Sequence, residues 1–217
     1  TSGDRNISIG NDSSYALTNG DDNIVIGYQA GDEITTGDNN IIIGKAAAAS
    51  ANNASNETVI GNTLSTNARI YGLRTPVTTV AATPTLTAAD SGETFVFSDA
   101  DGATITLPDS GDGSLVGVYY KFFISVTATS NGHKVVMADT TNEKFYGQVI
   151  STDTDTGDAN ETFPAQAGDS FSAISSNGST TGIIGSHYTI TNLASDIWMI
   201  TGNIHCTGVP ATPLAGS

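Results

Sequence analysis

The residue types able to do chemistry in this chain are few and scattered. Of the three histidines, His133 follows the turn Asn131-Gly132 and reads as an exposed turn flank, His187 opens a strand, and His205 lies beside Cys206 near the C-terminus. Their spacing matches no zinc-ligand pattern, so only the fold, or a symmetry axis, would gather them. The single cysteine, Cys206, excludes an internal disulfide and any multi-cysteine metal site, and reads as a buried thiol. Asp153, Asp155, Asp158 and Glu161 form the densest acidic stretch. It begins like a calcium loop, D-x-D-x-G-D, but Gly157 stands where the third ligand belongs and Pro164 takes the place of the final glutamate. Carboxylate pairs also cut polysaccharides by acid–base chemistry, yet nothing in this spacing asks for that role, and the stretch reads as a solvated loop. No nucleophile elbow, phosphate loop, H-E-x-x-H or G-x-G-x-x-G is present. The chain is expected not to be an enzyme, with no catalytic residue, no metal site and no cofactor.

Aromatic rings are the other groups with binding potential, because they stack on sugar faces. Trp198, within Ile197-Trp-Met-Ile200, and Phe122-Phe123 sit in apolar runs and are assigned to the core. Tyr119, Tyr120 and Tyr188 are less constrained and are the first surface-binding candidates.

The elements that position these residues follow from composition. The chain has 217 residues, Lys+Arg 7 against Asp+Glu 22, and a formal net charge of -15. Charged residues make only 13%, against roughly 25% in an ordinary soluble domain. Polarity is carried instead by Thr, Ser, Asn, Asp and Gly, the chemistry of turns and strands. Seven basic residues build no phosphate-binding stripe, and an acidic surface repels anionic headgroups, so neither nucleic acid nor a membrane surface is an expected partner. Apolar runs stop far short of the ~20 residues needed to cross a bilayer. The chain begins at Thr1, so it reads as a fragment or processed product with any targeting segment out of view.

Self-similarity is the strongest signal. Asn6-Ile-Ser-Ile-Gly10 recurs as Asn23-Ile-Val-Ile-Gly27 and Asn40-Ile-Ile-Ile-Gly44, with a degenerate fourth copy, Glu57-Thr-Val-Ile-Gly61. Gly10, Gly27, Gly44 and Gly61 are each 17 residues apart, and Gly3-Asp4, Gly20-Asp21 and Gly37-Asp38 keep the same register. Each copy predicts a short strand closed by a glycine corner, stacked about 4.8 Å from the next, with Asn6, Asn23 and Asn40 hydrogen-bonding up the stack. The isoleucine pairs Ile7/Ile9, Ile24/Ile26 and Ile41/Ile43 share one face and are assigned to the stack's own packing. Ser8, Val25, Ile42 and Val59 occupy the opposite face, where a free-standing solenoid should be polar. Four thin rungs are also a small core for one chain. A second covering surface is therefore expected, and a parallel homotrimer is the simplest one. The run Ala46 to Ala51 is assigned to a crowded rung rather than a helical turn.

The repeats, of the form TGD-x-N-I-x-I-G, resemble those of bacteriophage tail-fibre and virion-appendage proteins. They are also similar to the head repeats of trimeric autotransporter adhesins, though the period is longer here and Ile stands where the adhesins often use Ala. This resemblance spans roughly residues 1–62 and implies a fibrous, trimeric assembly.

Residues 74–92 read as an extended connector, rich in Thr with prolines at 76 and 84. Beyond it, Thr94–Ser98 and Ala103–Leu107 flank the turn Asp99-Ala-Asp-Gly102, and Asn131-Gly132 separates two β-prone runs. Both patterns predict hairpins. Further strands are expected at Lys144–Ile150, Phe171–Ser175, His187–Thr191 and Ile197–Asn203. Eight strands without helical periodicity predict an antiparallel β-sandwich or jelly roll. Leu86-Thr-Ala-Ala-Asp-Ser-Gly-Glu-Thr-Phe95, followed by Ala103-Thr-Ile-Thr-Leu-Pro108, resembles a β module of phage structural proteins. Phe145-Tyr-Gly-Gln-Val149, Ala167-Gly-Asp-Ser170 and Trp198-Met-Ile-Thr-Gly202 resemble its downstream landmarks.

The expectation is thus an all-β protein: a four-rung β solenoid or stem (1–73), a connector (74–92) and an antiparallel β domain (93–217), assembled as a parallel homotrimer. The resemblance implies a phage virion component located on the particle surface, a fibre or appendage whose C-terminal domain contacts a host surface glycan. Its other partners would be further copies of itself and other virion proteins. A capsid decoration or head-fibre protein and a bacterial trimeric surface adhesin are the alternatives. Polar loops at Ser151–Glu161 and Ser175–Ser186 are the expected binding loops, since recognition concentrates on loops carried by a rigid scaffold.

Overall fold

A computed structural model describes residues 3–65, 74–80, 82–155, 159–165 and 171–215. The chain is all-β, with one short 3-10 turn at Ala88–Asp90 and no α-helix among the described residues. It divides into two compact units, Thr1–Leu73 and Arg74–Ser217.

The first unit holds four three-residue strands, β1 (Ile7–Ile9), β2 (Ile24–Ile26), β3 (Ile41–Ile43) and β4 (Thr58–Ile60), in one parallel sheet in chain order. Every partner is offset by one repeat, Ile7 on Ile24 and Ile24 on Ile41. Backbone bonds tie the rungs at each end: the Ile24 N–H donates to the Asn40 carbonyl at 2.8 Å, and the Gly44 N–H to the Ile26 carbonyl at 2.8 Å. Two glycine columns permit this approach. A Cβ on Gly3, Gly20 or Gly37 would collide with the carbonyl oxygen of the residue one repeat later. The fourth member of that column is Ala54, in the last rung, where the repeat also degenerates at Ser55, Glu57 and Thr58. Gly10, Gly27 and Gly44 turn the corner with φ of 134°, 140° and 132°, a region closed to most L-residues.

The inside and outside of these rungs are the reverse of the expectation. The middle residue of each strand points inward: Val25 and Ile42 are buried with Ala30, Ile34 and Ala47, and Leu17, Ala49 and Val59 pack against them. The flanking isoleucines point out. A three-residue strand offers one side chain to one face and two to the other, and the inner space, narrowed by Ala30 and Ala47, takes one. Ala47 and Ala49 thus serve a crowded rung without a helical turn.

The second unit has two sheets. The larger runs β11 (Glu161–Ala165), β10 (Lys144–Asp153), β14 (Ile197–Cys206), β13 (His187–Ala194), β8 (Tyr119–Ile124), β6 (Thr94–Phe97) and β5 (Val77–Val80). The smaller runs β15 (Leu214–Ala215), β12 (Ala173–Ser176), β9 (His133–Val136) and β7 (Thr104–Thr106). One buried cluster draws on both, joining Phe95, Phe97, Tyr120, Phe122, Tyr188 and Trp198 to Ile105, Val135 and Ile174. Ring stacking orders it, with Phe122 and Tyr188 centroids 5.2 Å apart and Tyr120 and Trp198 6.2 Å apart.

Three expectations are corrected here. The sheets are mixed rather than antiparallel, since β10–β14, β5–β6, β6–β8 and β7–β9 all pair in parallel. Neither predicted hairpin forms: β6 and β8 lie in the larger sheet, β7 and β9 in the smaller. Their turns are corners that carry the chain across the core, and they lock together where Thr129 N–H donates to the Ala100 carbonyl at 2.8 Å. Crossing lets Phe95 and Phe97 face Ile105 and Leu107 and buries both strands' apolar sides. Residues 74–92 are also not a free connector. They supply edge strand β5, the core residue Leu86, and a bridge from Thr85 to Thr106.

Candidate functional site

In the first unit the candidate feature is the outward isoleucine stripe. Ile7 is 49% exposed, Ile9 57%, Ile41 37% and Ile60 65%, with Ile24, Ile26 and Ile43 half-buried beside them. Elsewhere the exposed residues of the rungs are mostly polar, with Tyr15, Tyr28 and Leu64 as further exposed apolar side chains, so two isoleucine columns run along a largely polar surface. An asparagine ladder holds their register. Asn40 donates from Nδ2 to Asn23 Oδ1 at 2.9 Å and to the Ala54 carbonyl at 2.8 Å, while its own Oδ1 accepts the Glu57 N–H at 2.9 Å. Asn23 repeats these bonds to Asn6 and Gly37, and both asparagines are fully buried. A parallel carboxylate ladder links Asp4 N–H to Asp21 and Asp21 N–H to Asp38. At the first rung Arg5 pairs with Asp22 at 2.6 Å, and that hydrogen bond with its charge holds the Asp22 carboxyl below its ordinary range.

In the second unit the candidate surface is the outward face of the larger sheet. Strand alternation decides which tyrosines reach it. Tyr119 does, at 38% exposure. Tyr120 and Tyr188 do not. Both are buried, Tyr120 donating its hydroxyl to the Thr87 carbonyl at 2.8 Å, and burial pushes both phenols upward in pKa. The surface role expected of these two is therefore corrected to a core role. Adjacent residues of one strand face opposite ways, so Tyr119 and Tyr120 never share a surface. The same parity splits Phe122, in the core, from Phe123, outside at 38% exposure.

Cross-strand register turns the outward face into three rows over β8, β13, β14 and β10. The first is Tyr119, Thr191, Met199 and Tyr146. The second is Lys121, Thr189, Thr201 and Gln148. The third is Phe123, His187, Asn203 and Ile150. None of these positions is buried and none is Asp or Glu. The Lys121 ammonium stands 5.6 Å from the Tyr119 ring centroid. Phe123 is thus corrected from the core to the surface, and Lys121 and Tyr146 were missed in the sequence, although the alternation Tyr120-x-Phe122-x-Ile124 already marks the inward set.

The remaining candidates separate. His133 is corrected from an exposed flank to a fully buried residue, its Nε2 2.8 Å from the Val126 carbonyl and its ring 4.8 Å from that of Phe97. His187 and His205 meet edge-on at 6.4 Å. Cys206 is buried, 3.4 Å from Ser151 Oγ. Among the described residues no group of three His, Cys, Asp or Glu is placed to hold a metal ion. In the acidic loop, Asp153 N–H donates to Asn160 Oδ1 at 2.9 Å, and Asp158 lies outside the described residues, as do Ala167-Gly-Asp-Ser170. Among the described residues one carboxylate is buried. Glu143 Oε1 accepts from Ser110 N–H, Ser110 Oγ and Trp198 Nε1 at 2.8, 2.6 and 3.0 Å, and Oε2 accepts from Asp139 N–H at 2.9 Å. These bonds pin the loop at Ser110 to the core, a structural duty.

Comparison with known protein families, with curated proteins and with solved structures gives no match for this chain.

Proposed function

We propose that this chain is a structural component of a phage virion, a fibre or appendage that assembles as a parallel homotrimer. In this reading the first unit is a short β solenoid that joins the copies, and the second is a β-sandwich that contacts the host surface. The observation that carries it is the outward isoleucine stripe. A rung surface that is otherwise mostly polar, with Tyr15 and Tyr28 its exposed rings, keeps Ile at both outward positions through three repeats and at one in the fourth. Exposed apolar stripes of this kind on a polar surface mark association. An identical copy has the same rung spacing, so its columns meet these in register, rung by rung, with no frame mismatch. Asparagine ladders and glycine columns make the stack rigid, which suits an element that transmits position rather than one that turns over substrate.

Immunogold labelling of particles with antibody to this chain tests the reading. Label on tails or on protruding appendages is the expected result. Label spread over the capsid lattice replaces the fibre with a decoration protein, and absence from particles removes the virion assignment. The purified chain is expected to release no reducing ends from bacterial polysaccharides. Release that Asp155→Asn abolishes would make it an enzyme.

A further inference from the structure

We propose that the outward face of the seven-stranded sheet, rather than the polar loops, is a binding surface for an acidic polysaccharide. This rests on the host-contact reading and names its ligand and its place. The arrangement of chemistry within the three rows carries the inference. Tyr119, Tyr146 and Phe123 stand at corners of the patch, and Lys121, Thr201 and Gln148 run through its centre. A protein interface has the opposite order, an apolar centre with a polar rim. Rings around a hydroxyl- and amide-bearing centre suit a ligand with hydroxyls along its length and flat C–H faces, which is an oligosaccharide. Four strands and three alternate positions give a patch of about 14 by 14 Å, long enough for several linked sugar rings. Because Tyr119 and Tyr146 sit on β8 and β10 of one sheet, with β13 and β14 between them, their separation is set by the sheet, and tyrosine orders at little entropic cost on binding.

Charge selects the class of sugar. The molecule carries a net -15, yet no carboxylate stands among these outward positions, and the one formal charge is the Lys121 ammonium. Among the described residues that ammonium forms no ion pair, its neighbour being the Tyr119 ring. A local positive site on an acidic protein complements an anionic chain.

Affinity electrophoresis of the full chain tests this in gels cast with polygalacturonate, alginate, dextran or polyglutamate, at low and high salt. The first two are acidic pyranose polymers, dextran is a neutral one, and polyglutamate is a polyanion without sugar rings. Expected is retardation by at least one acidic polysaccharide, weaker retardation by dextran and none by polyglutamate. Tyr119→Ala with Tyr146→Ala should weaken binding at least tenfold, and Lys121→Gln several-fold with a flatter salt dependence. Circular dichroism melts matching the parent confirm that these outward changes leave the fold intact. Binding to neither acidic polymer, equal binding to polyglutamate or dextran, or full binding by the double tyrosine variant would each overturn the proposal. Adhesion to host cells keeps the two readings apart. Cell binding that survives the double variant removes the sheet face but keeps host contact. Polysaccharide binding without cell binding keeps the sheet face and removes host contact.

Discussion

Among the described residues the first unit buries the apolar side chains of Val25, Ala30, Ile34, Ile42 and Ala47, whereas the second unit buries Trp198, Tyr120, Tyr188, Phe97, Phe122 and Phe145 in a continuous core that draws on both of its sheets. The first is held by columns. Asparagine amides, carboxylates and glycines repeat through the first three rungs, and bonds such as Asp21 N–H to Asp38 and Asn40 Nδ2 to Asn23 join neighbouring copies of the same residue. The second is held by mass, with aromatic stacking and a buried glutamate tied to Trp198. The difference teaches where each unit's stability resides. A thin stack buries little area per residue and relies on nearest-neighbour rung interactions, so in the proposed assembly a partner surface would contribute a large share. A two-sheet core supplies its own hydrophobic stabilisation.

The sharpest way to break this comparison is in the larger core. Trp198→Ala removes the largest fully buried side chain and leaves Glu143 without one of its donors. A loss of about 3–5 kcal/mol is expected, read as a lowered denaturation midpoint. Hydrogen exchange should rise across β8, β10, β13 and β14 and stay low at β2 and β3.

Next comes a matched pair in one strand. Ile42→Asp puts an unpaired charge into the closed interior of the rungs and should cost several kcal/mol, unfolding the first unit whatever its association. Ile43→Asp, one residue away and outward, should leave β3 paired but destroy assembly. Circular dichroism and sedimentation together separate the outcomes. Equal damage from both would mean the two faces are not distinct.

Asn40→Ala strips one rung of a buried ladder and leaves the Glu57 N–H and Ala54 carbonyl without their partner. Both lost bonds are part-buried, so each unsatisfied group should cost toward the low end of about 1–3 kcal/mol, and the first unit should melt earlier while the second keeps its own transition.

The smallest effect belongs to the Arg5–Asp22 pair. Its carboxyl is held below the ordinary range, so its contribution is complete above that range and is lost as pH falls through the depressed value. Arg5→Gln should remove only this acid-side component, and added salt should imitate it, because both groups are well exposed.

The strand positions were legible in both units because their causes are local. A 17-residue recurrence of Asn-Ile-x-Ile-Gly places β1 to β4, and turn residues around apolar runs place eight of the eleven strands described in the second unit, the edge strands β5, β11 and β15 escaping them. What was not legible depends on distance. Period-two alternation says that Ile41 and Ile43 share a face, but the choice of inward face belongs to Ala30, Ile34 and Ala47, which close the interior from elsewhere in the rungs. Asn131-Gly132 fits a hairpin turn equally well as a corner between sheets, and only the burial of Phe97 against Ile105 decides. Parity along β8 was available and would have removed Tyr120. The grid joining Tyr119 to Tyr146 was not, since it needs the parallel pairing of β10 with β14.

Sedimentation equilibrium of the full chain tests the central claim, that the outward isoleucines join identical copies. At micromolar concentration the parent is expected at three times the 22.1 kDa of one chain. Ile24→Asp with Ile41→Asp should bring it to a single chain that retains the second unit's fold. A well-folded monomer for the parent at that concentration, or a trimer that survives both substitutions, would contradict the claim.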